Sequence, residues 1–370
     1  RGGKVQYKMV RSAIEDLSGA LEIDWPHNKS GILSDSFPEF PKFHSTKKSY
    51  VKYNKRNKRG KVYDPNKFYF QLDTFTVDSM MSFSVPGISF PGTFTSGGIF
   101  PDFREKLVLM PDHSLGFVKT APAQGYEMYG GKAKFDNDII LSNEGLMGDG
   151  EFHYITSSSK SKAFVFYLDS MKAPAYESEI RPQLAPVEYC DVQGEKVKIA
   201  YYPTKDYLKM DKVKTPIAMY SKGAKLSGGI RYDHKGMSGA GIMDFDNAEI
   251  KSNIFEFQNM TFNADTSDFK LKSDTTDLDL ASVNDAGNGI AFSTNDVNSK
   301  IDFNKRVGEF VANGGASFVD FPMNSYICFM DQFKWFMDDF SLELSSSDDN
   351  AVKGTSTAGG NDLDLAGSEF

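Results

Sequence analysis

The feature that most constrains this chain is a glycine motif that occurs twice. Gly145-Leu146-Met147-Gly148-Asp149-Gly150 returns as Gly236-Met237-Ser238-Gly239-Ala240-Gly241. The offset of 91 residues needs no gap, and it also carries Ala133 onto Ala224, Ile139 onto Ile230, Ser161 onto Ser252, Phe164 onto Phe255 and Phe166 onto Phe257. A repeat that holds register over this span reports an architecture of similar stacked units. It does not by itself report a chemistry.

The segments around both motifs alternate in polarity at period two, as half-buried strands do. The residue types agree: 31 Phe, 17 Tyr and 32 Gly among 370 residues favour strands and tight turns over helices. The expected fold is therefore all-β, a β-solenoid or stacked short-strand repeat array with few helices. Four regions are expected: residues 1–129, an N-terminal β region with a basic hairpin; 130–221, a first repeat unit; 222–344, a second unit with an aromatic segment; and 345–370, a flexible connection to a longer chain. The motif glycines are expected at sharp corners between rungs, where φ is positive and backbones approach closely. A phosphate cradle is disfavoured, because strands flank the motif on both sides and no helix follows to present its N-terminus.

The net charge of −8 argues against a dedicated nucleic-acid binder. One strongly basic run interrupts the acidic chain, from Lys47 to Lys61. There Tyr50 and Tyr53 interleave with Lys55, Arg56, Lys58 and Arg59, a composition suited to a polyanion such as an acidic polysaccharide, a lipid headgroup or single-stranded nucleic acid. The competing reading is a solvated hairpin tip. No run of about 18 apolar residues is present, so no transmembrane helix is expected. Cys190 and Cys328 lack metal spacing and read as two free thiols, with a single bridge between them as the alternative.

Chemistry is sparse. The five histidines are scattered, and no HExxH, GxSxG or Cys/His nucleophile pattern occurs. No catalytic residue, cofactor or metal ligand is assigned. The Asp-rich stretch from 264 to 320 admits calcium, but the EF-hand spacing is missing and Asp also serves tight turns. Function is instead sought where the two copies disagree. His153 corresponds to Asp244 and Ile155 to Asp246. On a strand, Asp244 and Asp246 face the same side roughly 6.6 Å apart, a spacing open to acid/base work on a sugar or to binding a cation, or simply a solvated face above buried Met243 and Phe245. The densest aromatic segment, Tyr326 to Met337 with Trp335, reads as core or as a protein–protein contact.

The phrases Asn28-Lys29-Ser30-Gly31, Ser114-Leu115-Gly116-Phe117, Tyr129-Gly130-Gly131, Leu141 to Gly150 and Asp331-Gln332-Phe333-Lys334-Trp335 resemble segments of large, uncharacterised secreted or envelope-associated proteins of Gram-negative bacteria. The rhythm of short strands from Asp302 to Phe310 is similar to the β-solenoids of lipopolysaccharide-transport bridges and AsmA-type conduits. The first resemblance implies an extracytoplasmic location, at the cell surface or in the periplasm, within a longer secreted protein; the second implies an apolar groove. The expected role is a non-enzymatic structural or interaction protein whose partners are other subunits or further copies of itself. Alternatives are a periplasmic lipid-binding conduit with an apolar groove and a carbohydrate-binding or polysaccharide-cleaving β-helix protein.

Overall fold

A computed structural model describes residues 21–24, 42–45, 49–52, 63–73, 76–77, 89–112, 114–142, 144–221, 223–273, 289–339 and 341–345. Among them the fold is all-β, an array of short strands with a 3-10 turn at Pro322–Asn324. Two compact units are present: residues 1–154, 160–173 and 202–205 form the first, and residues 155–159, 174–201 and 206–370 the second.

The first unit holds β1 (Leu21–Asp24), β2 (Lys42–Ser45), β3 (Ser49–Lys52), β4 (Tyr69–Leu72), β5 (Thr76–Val77), β6 (Ser89–Thr95), β7 (Phe103–Leu109), β8 (Leu115–Thr120), β9 (Tyr126–Met128), β10 (Ala133–Ser142) and β11 (Gly145–Tyr154). β1, β2 and β5 make a small sheet of their own. β3, β4, β6, β7 and β8 pair in that order, and both β8 and β9 then pair along β10, which continues into β11; every pairing is antiparallel. The unit boundary falls within β12 (Ser157–Phe166), β13 (Met171–Ile180) and β14 (Val192–Tyr202).

The second unit continues with β15 (Tyr207–Asp211), β16 (Ile217–Met219), β17 (Ala224–Asp233), β18 (Gly236–Asp244), β19 (Ala248–Phe257), β20 (Thr261–Lys272), β21 (Ile290–Asp302), β22 (Val307–Ala312), β23 (Ser317–Phe321), β24 (Tyr326–Met330), β25 (Gln332–Phe336) and β26 (Leu342–Ser345). The expected register holds in the backbone. Leu141 pairs with Phe117 as Tyr232 pairs with Leu208, and Ala133 pairs with Met128 as Ala224 pairs with Met219.

A third copy, which an ungapped comparison of residues does not find, follows in the same unit. β14 pairs β16 through Gln193↔Ala218, and β21 pairs β23 through Ser293↔Asp320; β15 pairs β17 from Tyr207↔Asp233, and β22 pairs β25 from Val307↔Phe336. Lys196 and Asp206 hold φ of 52° and 51°, while Asp296 and Arg306, each 100 residues on, hold 54° and 59°. Backbone geometry has outlasted side-chain identity here.

The first glycine of each motif sits at a sharp turn with positive φ, as expected, and the corner is a hairpin turn between adjacent strands. Gly145 pairs with Ser142 and Gly236 with Asp233, so each starts the return strand of a hairpin, at φ of 106° and 155°. The second glycine sits within the strand and makes room for rings: a Cβ at Gly148 would lie 2.6 Å from Phe135 Cζ and 2.9 Å from Phe166 Cε2, and one at Gly239 2.7 Å from Phe257 Cε2. Those rings are core. Phe135 packs edge-on to Phe164 and Phe166 at 5.2 and 5.1 Å, and Phe262 in the second unit does the same to Phe255 at 5.5 Å. Each fully buried ring contributes about 1.5–3 kcal/mol of transfer free energy.

Candidate functional site

The structure disperses the residues singled out from sequence. Tyr50 lies on β3, while Tyr53, Lys55, Arg56, Lys58 and Arg59 fall outside the described residues. His153 is the last residue but one of β11, where its Nε2 lies 2.9 Å from Asp136 Oδ2 on the neighbouring β10. Asp244 ends β18, and its Oδ1 takes the Lys272 ammonium at 2.7 Å. Asp246 does not share that strand: it lies in the turn that follows, so the expected pair of carboxylates on one strand face does not form. The strand had already ended because Phe245 N–H turns back to the Ala248 carbonyl at 2.9 Å. Met243 and Phe245 are buried, as alternation requires. Asp246 adds to the charge around Arg306, whose guanidinium is raised above its ordinary value first by its hydrogen bonds to Asp338.

Trp335 is a second correction, because it is fully buried against Phe245 and Phe269 and meets no partner at the surface. Alternation along β25 turns Phe333 and Trp335 inward together. Cys190 and Cys328 are both free; burial pushes the Cys190 thiol up to about 12. Among the described residues no group of three or more His, Cys, Asp or Glu is placed to hold a metal.

Two surfaces stand out instead. The first is the outward face of the β23–β24 hairpin, where Phe318 and Phe329 pair across the strands with rings 6.1 Å apart. Phe329 is 74% exposed, Ile327 54% and Phe318 44%. In the matching register the first and second copies carry Lys134 and Lys225 where the third has Ile327, and Asp136 and Ser227 where it has Phe329. The fold therefore does not require apolar side chains at these positions.

The second surface is a cleft of about 500 Å³ in the second unit. Its walls include Glu188, Arg231, Asp233, Lys235 and Glu256, and the glycine motif itself supplies Gly236, Met237 and Ser238. Arg231 lies over the Tyr207 ring at 4.4 Å and reaches Asp233 Oδ2 at 3.4 Å. Asp233 Oδ1 in turn accepts the Lys235 N–H at 2.8 Å, shaping the hairpin turn at the rim. Behind this wall Tyr189 donates its hydroxyl to the Asp233 carbonyl at 3.0 Å and packs edge-on to Tyr232. Burial and the neighbouring Tyr232 and Asp233 push the Tyr189 phenol up to about 12. Sequence reasoning passed over these walls. Their signal lay in the same comparison of copies that picked out His153 and Asp244: Arg231 stands where the first copy has Ile140, and Glu256 where it has Val165.

Compared with known proteins, the chain matches no family model, no curated protein and no solved structure.

Proposed function

We propose that this protein acts by association rather than turnover, as a structural or interaction subunit of an extracytoplasmic assembly such as a surface filament or an envelope complex. The observation that carries the reading is the β23–β24 face. Phe318, Ile327 and Phe329 form a contiguous exposed apolar cluster, and the positions of Ile327 and Phe329 are polar in the equivalent strands of the other two copies. Large apolar groups kept in water without a packing role mark contact surfaces. The extracytoplasmic setting rests on the resemblance of the sequence phrases to envelope-associated proteins.

Sedimentation velocity tests the reading. The chain is expected to sediment as a concentration-dependent oligomer, and Ile327→Lys with Phe329→Lys to sediment as a folded monomer with unchanged circular dichroism. A chain that stays monomeric up to about 100 μM, or an oligomer indifferent to both substitutions, removes the hairpin as the self-association surface.

A further inference from the structure

In the first copy, the place that corresponds to the second-unit cleft is filled by the chain itself. Tyr63 is buried there, donating its hydroxyl to the Phe166 carbonyl at 2.7 Å and accepting the Leu146 N–H at 3.0 Å. Its ring stacks on Phe68 at 4.0 Å and lies 5.9 Å from that of Tyr167. These neighbouring rings are buried with it, Phe68 at 0% exposed and Tyr167 at 7%.

At the offset of 91, Leu146 and Phe166 become Met237 and Phe257, and both line the cleft. Other cleft-lining residues of the second copy also differ from their first-copy counterparts: Ile140 becomes Arg231, Ser142 becomes Asp233, Val165 becomes Glu256 and Tyr167 becomes Gln258. The buried aromatic filler of the first copy thus corresponds to an open, polar-walled recess of ligand size in the second. The substitutions converge on one chemistry although they fall on two strands, β17 and β19, and on the turn after β19, which argues that the recess is built rather than left over.

From this we infer that the cleft is a binding site for a neutral polyhydroxylated ligand, a saccharide of one to three rings. The walls present two cations, Arg231 and Lys235, and three carboxylates, Glu188, Asp233 and Glu256. An anionic ligand meets the carboxylates and a cationic one meets Arg231 and Lys235. A sugar hydroxyl both donates and accepts, and so satisfies groups of either sign without a net charge of its own. The hydroxyl of Tyr63 does the same in the first copy, donating to one backbone group and accepting from another. A Cβ at Gly236 would meet nothing within 4 Å, so the β17–β18 hairpin leaves the rim accessible. The site is separate from the β23–β24 face, and its test does not depend on association.

Titration calorimetry of the full chain with maltotriose, cellotriose and triacetylchitotriose tests the site, with sialyllactose and a tyrosine-containing tripeptide as comparison ligands. At least one neutral trisaccharide is expected to bind saturably. Arg231→Ala and Glu256→Gln are each expected to weaken it about tenfold or more, as loss of a charge-assisted hydrogen bond does. Ser238→Trp, which narrows the cleft from the rim, is expected to abolish binding while thermal unfolding shows the variant still folded. Absence of saturable binding by all three neutral sugars overturns the inference. So does binding that survives all three substitutions, or tighter binding of sialyllactose or of the peptide.

Discussion

Tyr129 and Tyr220, 91 residues apart, hold the same left-handed backbone conformation, at φ of 51° and 53°, and each donates its buried hydroxyl to a backbone carbonyl of a matching turn. Tyr129 reaches the Tyr167 carbonyl at 2.9 Å and Tyr220 the Thr261 carbonyl at 2.8 Å; these turns are closed by Tyr167 N–H to Ser170 O and by Gln258 N–H to Thr261 O. A tyrosine at positive φ is uncommon, so its recurrence shows that the turn is held by the phenol it anchors. Tyr129→Phe and Tyr220→Phe are expected to cost about 1–2 kcal/mol each, since each removes a hydrogen bond from a buried phenol; the Thr261 carbonyl keeps the Gln258 N–H, which places Tyr220→Phe toward the lower end. Urea unfolding of each variant measures this, and a change below a few tenths would show that the hydroxyls are ornamental.

The same burial makes the protein sensitive to alkali. Burial raises Tyr129 and Tyr220 well above the ordinary tyrosine value and pushes Tyr126 and Tyr189 up to about 12. A group with a raised folded-state pKa contributes its full stability below the unfolded value, near 10, and loses it as pH climbs toward the folded value. Stability should therefore hold to about pH 10 and fall between roughly pH 10 and 12, with tyrosinate absorbance of these residues appearing together with unfolding. Gradual, non-cooperative ionisation of every tyrosine near pH 10, with the fold intact, would contradict this.

Gly148 is the tightest test of how the repeat packs. Gly148→Ala places a methyl against Phe135 and Phe166, both fully buried, and should cost about 1–3 kcal/mol by overpacking. Gly239→Ala meets Phe257 and the Gly229 carbonyl and should fall in the same range. Gly314→Ala, whose added Cβ meets nothing within 4 Å, should change stability by less than about 0.5 kcal/mol and serves as the control. Equal effects at all three positions would mean that propensity, not ring contact, sets the cost.

Asp244, attractive from sequence as half of a carboxylate pair, should prove nearly neutral. It shares a partly exposed ion pair with Lys272, of a kind worth about 1 kcal/mol or less. Asp244→Asn is therefore expected to shift the urea midpoint only slightly and to leave saccharide binding at the cleft unchanged. A loss of binding would move the site from Arg231 and Glu256 to the end of β18.

Lys272 gives that carboxylate a partner 28 residues away, and no alignment of two copies along the chain could have revealed it. His153 and Asp244 were legible as a disagreement between copies, but the meaning of a disagreement depends on what each side chain touches. Arg231 and Glu256 disagreed with Ile140 and Val165 just as plainly. They went unremarked because, along the chain, a charged residue on a strand looks like any solvated face.

The strand character of this protein, and the equivalence of Gly145 with Gly236, follow from sequence alone. Side chains alternate at period two, and a register kept without gaps over many residues survives only when the same backbone pairing is being specified twice. The third copy and the cleft belong to the tertiary structure. From β22 to β26 the pairing is preserved while the residues change, and Asp331, which lies between β24 and β25, splits the equivalent of the continuous β17 into two strands. The cleft gathers Glu188, Asp233 and Glu256 from positions 68 residues apart at the extremes, and the chemistry it presents exists only once the sheet has brought them to one wall.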